Sequence, residues 1–106
     1  MRIVGHSMMP VLRPGALVWV NKGAYRAAAP RRGDMVVARP VALHGRACVK
    51  RVVGLPHEQV ALGERAWRLG AQEYLLAGDA LHDSVDSRVF GPVVRHELVG
   101  RVTKIC

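Results

Sequence analysis

Aromatic side chains are scarce in this chain of 106 residues, which carries two Trp, two Tyr and one Phe. A core must therefore be assembled mainly from Val, Leu, Ala and Met. Cysteine is as rare, with only Cys48 and Cys106. One mid-strand thiol and one at the chain end read as two reduced thiols in a reducing compartment, not as a bridge. Neither stands at ligand spacing from the five His residues, so no metal and no cofactor is expected. Acidic residues are few: eight Asp/Glu stand against sixteen Lys/Arg, a formal net charge of +8. Such a balance attracts nucleic acid, anionic lipid or acidic peptides. Yet the basic residues are scattered from Arg2 to Lys104, with no aromatic interleaving and no recognition-helix pattern, so nucleic acid is set aside as the main partner. Long apolar runs are missing too. Nothing approaches the roughly eighteen residues of a spanning helix, and no charged, apolar and cleavable leader opens the chain. The expected location is cytoplasmic, with peripheral contact to a membrane as a further option.

What is present is period-two alternation and short β-branched runs, punctuated by Gly and Pro. Strands are expected at Ala16 to Asn21, Asp34 to Arg39, Ala47 to Val53 and Leu98 to Ile105. Glu58 to Leu62, Ala66 to Leu69 and Glu73 to Ala77 read as a meander with turns at Gly63-Glu64 and Gly70-Ala71. Helix signals are nearly absent, apart from one turn at Val94 to Glu97 after Pro92. The length suits one domain, residues 1–106. The expected fold class is all-β, a coiled antiparallel sheet or partly open barrel.

Three blocks could carry chemistry. They are Gly5-His6-Ser7-Met8-Met9-Pro10, Lys50-Arg51-Val52-Val53-Gly54, and the stretch from Gly78-Asp79-Ala80 through Asp83-Ser84-Val85-Asp86-Ser87-Arg88 to Gly91. Serine is a poor nucleophile unless a base takes its proton during attack. A lysine serves only when neutral. With an ordinary pKa near 10.4, neutrality at pH 7 requires about 4.6 kcal/mol of destabilisation of the ammonium. Burial can supply this where no carboxylate intervenes. On a strand, Cys48, Lys50 and Val52 share one face, and these small or apolar flanks would desolvate the lysine stem; Arg51 points the other way. Each residue also has a plainer reading. Ser7 could be a loop serine, Lys50 an edge-strand charge that deters aggregation, and Asp86 with Arg88 a surface ion pair.

Together, in this order and spacing, the blocks resemble the bacterial signal peptidase I family, serine proteases with a Ser/Lys dyad, over nearly the whole chain. The resemblance implies that Ser7 is the nucleophile and Lys50 the general base. It implies further that Ser84 helps hold the lysine amine, that Asp86 and Arg88 form an ion pair behind the site, and that Gly78 and Asp79 start the supporting loop. Met8, Met9, Pro10, Val11 and Leu12 follow the nucleophile as pocket or rim residues, or as core. The implied partner is a protein or peptide with an N-terminal leader, bound as an added strand and cut after small residues. Ala80 stands where many relatives have Asn. Asp83 stands where Asn often precedes the serine, and an ionised Asp83 near Lys50 would oppose catalysis. With Gly5 two residues before Ser7, the oxyanion hole would rest on backbone N–H groups. Membrane-bound members carry an anchor just upstream of the serine; here Met1 favours an anchorless form, similar to maturation proteases for nickel-containing superoxide dismutase.

Two other classes remain at this level. A LexA- or UmuD-like self-cleaving domain shares Ser and Lys on a similar sheet but needs a cleavage segment upstream of the serine. A non-catalytic basic β module would bind nucleic acid or anionic membrane with steep salt dependence, indifferent to Ser7 or Lys50.

Overall fold

The computed structural model describes residues 1–3, 8–80 and 85–105. Its frame is set by the strands whose sequences are apolar on both faces. In β2 (Met35–Ala38) all four residues are buried, and in β6 (Glu73–Ala77) all but the first. Such strands require cover on both sides and so belong inside a sheet. They flank β3 (Cys48–Gly54). With β1 (Val18–Asn21), β7 (Val93–Val94) and β8 (Leu98–Ile105) they make a six-stranded sheet in the order β1-β8-β2-β3-β6-β7. Every pairing is antiparallel, and the sheet stays open. The fold is all-β as expected, in the form of a sheet and not of a barrel.

Pleat alternation divides the core in two. One cluster gathers Met35, Val37 and Val49 with Ile3, Met8, Leu12 and Val18. The other gathers Val36, Ala38, Val52, Tyr74, Leu76, Val93 and Leu98, with Cys48 and Phe90 packed against it. Residues 1–3 run antiparallel to residues 15–18. Ile3 N–H donates to Ala16 O at 2.7 Å, and Val18 N–H to Met1 O at 2.8 Å. Leu12 N–H donates to Met8 O at 2.8 Å. The chain on either side of residues 4–7 is therefore pinned to the cluster that contains Val49, the strand neighbour of Lys50.

The expected meander is corrected. Strands β4 (Gln59–Leu62) and β5 (Arg65–Arg68) pair only with each other among the described residues, and β6 turns away to join β3 and β7. The reason is polarity: β5 exposes Arg65, Ala66 and Arg68, whereas Tyr74-Leu75-Leu76-Ala77 needs burial on both faces. Two single-turn helices, α1 (Ala24–Ala27) and α2 (Ser87–Phe90), form where no helix was expected. The turn expected at Val94 to Glu97 forms a 3-10 turn over Arg95–Glu97, where Glu97 accepts from the N–H groups of Val94 and Val41.

Gly100 in β8 lies where the backbone of Asn21 crosses: a Cβ there would stand 2.5 Å from Asn21 O. Overpacking against backbone has no soft neighbour to displace. Gly100→Ala is expected to lower urea stability by about 2 kcal/mol. Gly23→Ala, which meets only Asn21 Oδ1 at 3.6 Å, should change it far less.

Candidate active site

Lys50 stands mid-way along β3, in register with Val36 of β2. Strands on both sides and the apolar residues of its own face leave it 3 % exposed. A buried ammonium is costly, so burial is the largest influence on its pKa and pushes it below the ordinary lysine value. The thiol of Cys48 and the carboxylate of Asp86 pull it back up, and the guanidinium of Arg88 pushes it down. Cys48 is affected in turn: burial raises its pKa, and the Lys50 charge acts against that.

Asp86 is fully buried and caps α2. Its Oδ1 accepts from Arg88 N–H at 3.0 Å and Arg88 Nε at 2.9 Å. Its Oδ2 accepts from Gly78 N–H at 3.0 Å and Arg88 Nη2 at 2.9 Å. The guanidinium thus meets the carboxylate side-on, in the two-point geometry that Arg favours. Lys50, Asp86, Arg88 and Gly78 are accordingly brought together. Asp79 goes elsewhere: its Oδ2 takes Arg51 Nη2 at 2.7 Å and its Oδ1 takes Arg51 Nε at 3.3 Å, so among the described residues the carboxylate acting on Lys50 is that of Asp86. Arg51 also reaches Gly33 O at 3.1 Å; it turns away from Lys50 as alternation requires, but into an ion pair and not simply into solvent.

Of the residues after the serine, Met8 and Leu12 are buried in the first core cluster, Met9 is half-buried, and Pro10 and Val11 are exposed. Met8 also lines a cavity of about 100 Å³ with Met1, Arg2, Ile3, Ala47, Cys48 and Val49. Ser7 and Ser84 lie outside the described residues, as do Gly5, His6 and Asp83. One buried polar residue was missed in the sequence. Ser87 is fully buried and its Oγ accepts from Leu76 N–H at 2.8 Å, tying α2 to β6. The available signal was Asp86-Ser87 ahead of a short apolar run, a helix-start pattern.

A sheet that buries a lysine beside a buried aspartate paired with an arginine, with Met8 packed in the same cluster as Val49 of the lysine's strand, defines a class that comparison with known proteins identifies. The family model for signal peptidase, peptidase S26, matches residues 1–67 and 57–106, and the chain belongs to that family. It is 32% identical to a signal peptidase I of Leptolyngbya laminosa, with 93% of this chain and 64% of that protein covered. It is 30% identical to a probable signal peptidase I-2 of Synechocystis sp., covering 93% and 58%. It is also 32% identical to the mitochondrial ATP-independent inner membrane protease subunit 1b of Arabidopsis thaliana, covering 92% and 63%. The chain therefore spans about three fifths of the length of these relatives.

The direction of the Lys50 shift has a stability consequence. Its folded pKa lies below its unfolded one, so between the two the unfolded chain binds more protons and stability rises with pH. The penalty is complete below the folded pKa and vanishes as pH climbs to the ordinary lysine value. Lys50→Met, of similar volume, should therefore be more stable than wild type at pH 7, by about 1–4 kcal/mol. That advantage should shrink as the pH is raised toward 10. Urea unfolding of both proteins between pH 6 and 10 checks it.

Proposed function

We propose that residues 1–106 form a single catalytic domain of a serine endopeptidase in which Ser7 is the nucleophile and Lys50 its general base. The observation that carries this reading is the burial of Lys50, the condition under which a lysine gives up its proton near neutral pH. The neutral amine takes the Ser7 hydroxyl proton as Oγ attacks the scissile carbonyl. Backbone N–H groups around Ser7 stabilise the oxyanion, and the ammonium returns the proton to the departing amine. Water then cleaves the acyl-serine ester with Lys50 again as base. Ser84 steadies the amine, Asp86, Arg88 and Gly78 hold the floor behind it, and Asp79 braces Arg51 on the far face of β3.

The substrate is a protein with an N-terminal leader, laid along the strand edge near Ser7. The 100 Å³ cavity beside Cys48, edged by Met8 and Ile3, accommodates only a small side chain, which favours cleavage after small residues. Met9, Pro10 and Val11 form the rim. Peripheral membrane contact accords with exposed Met1, Leu17 and Trp19, the last 61% accessible, next to a groove that includes Lys22 and Arg39. Among the described residues no helix is long and apolar enough to cross a membrane.

Peptide-library cleavage read by mass spectrometry tests the reading. Wild type should cut after small residues, Ser7→Ala should not cut, and Lys50→Met should lose about 10²–10⁴-fold in rate. Because Lys50 must be neutral, the wild-type rate should rise with pH and level off below the ordinary lysine range. Equal cutting by wild type and both variants would refute it.

A further inference from the structure

The β4–β5 hairpin stands outside the main sheet, and none of its residues enters the chemistry described above. Its tip nevertheless rests on Arg88. Arg65 Nη1 donates to the main-chain carbonyl of Arg88 at 2.9 Å. Gly63, at the hairpin turn with φ of 64°, faces the stem of the same residue: a Cβ built on it would lie 3.4 Å from Arg88 Cδ. Arg65 is itself held, with its guanidinium carbon 4.8 Å from the ring centroid of Trp67. Contacts thus run from Trp67 through Arg65 to Arg88, and from Arg88 through its two-point pair to Asp86.

The fully buried Asp86 carboxylate needs a cation, and an uncompensated buried charge is strongly unfavourable. Among the described residues two cations are within its influence, Arg88 and Lys50. If Lys50 served Asp86, it would be fixed as an ammonium and useless as a base. Arg88 can serve only while its fork is aligned, and it sits on a helix of one turn, which has no intrinsic stability of its own. Val89, next to it, is exposed. Ser87 and Phe90 seat the helix on β6 and the second core cluster, and Arg65 adds a hold on Arg88 itself from outside α2. We infer that the β4–β5 hairpin is a positioning element for the Lys50 site, with Arg65 holding Arg88 on Asp86 and so withholding that carboxylate from the lysine.

This rests on reading Lys50 as the base, but it concerns the charge state of Lys50 and can be measured without any cleavage. Among the described residues, the titratable and charged groups acting on Lys50 are Cys48 from its own strand and Asp86 and Arg88 from the α2 segment. Strand β2 presents only Val36 across the register. The chain has just three lysines, Lys22, Lys50 and Lys104, so ¹³Cε-lysine NMR titration resolves them. In Arg65→Ala the Lys50 midpoint should rise by about 0.3–1 pH unit, the scale of one hydrogen bond. Trp67→Leu should shift it in the same direction by less, and Arg65→Lys, which keeps a donor, should fall between Arg65→Ala and wild type. Arg68→Ala, on the same strand, should leave it in place.

A Lys50 midpoint unmoved in Arg65→Ala overturns the inference. So does an equal shift in Arg68→Ala, which would mean general loosening of the hairpin. If Arg65→Ala does not fold, Trp67→Leu and Arg65→Lys decide by the same criterion. A wild type that cuts no peptide while Arg65→Ala still raises the midpoint would count against the peptidase reading alone. Cleavage with no shift would count against the hairpin alone.

Discussion

An ammonium carried into the middle of a sheet must find a counter-charge or lose its proton, and the architecture around Lys50 is arranged about that choice. Among the described residues the carboxylate that acts on Lys50, that of Asp86, is fully buried and engaged by the guanidinium of Arg88 and the N–H of Gly78. Burial therefore outweighs attraction at Lys50, and its pKa falls. The Asp86–Arg88 pair acts on Lys50 with opposing signs, the carboxylate raising its pKa and the guanidinium lowering it, while burial remains the larger influence.

The sheet supplies the burial. Strands β2 and β6 are apolar on both faces, so β3 between them is covered on each side, and a lysine placed on it cannot extend to water as an edge-strand lysine would. The same apolar demand separates β6 from the polar hairpin and frees β4 and β5 to lean on α2. Ser87 then ties α2 to β6 through the Leu76 N–H. Packing, topology and electrostatics converge on one short helix, which is held through Ser87 and Phe90 and by contact with Arg65.

The main strands were legible because their signal is local: Met35-Val36-Val37-Ala38 and Tyr74-Leu75-Leu76-Ala77 carry their burial in their own composition. The desolvated face of Lys50 was readable from Cys48 and Val52 by alternation alone, and both side chains do pack in the second core cluster. Side-chain pairing across long separations was not. Nothing in Arg51 announces Asp79, 28 residues on, and nothing in Arg65 announces the carbonyl of Arg88. The meander failed for a related reason: adjacency in sequence favoured β5 with β6, while two-sided burial, a property of the assembled sheet, sent β6 to β3. Roles assigned to Ser7 and Ser84 come from the blocks and the family, since both residues lie outside the described structure.

The central claim is that a neutral Lys50 activates Ser7. It is tested most directly by mixing the protein with an activated peptide ester carrying a small side chain, quenching in acid, and mapping the acyl adduct by mass spectrometry. The account predicts one acyl group, on the peptide that contains Ser7, forming faster as pH rises and absent from Lys50→Met. An adduct at another residue, or equal acylation of Ser7 in Lys50→Met, would contradict it.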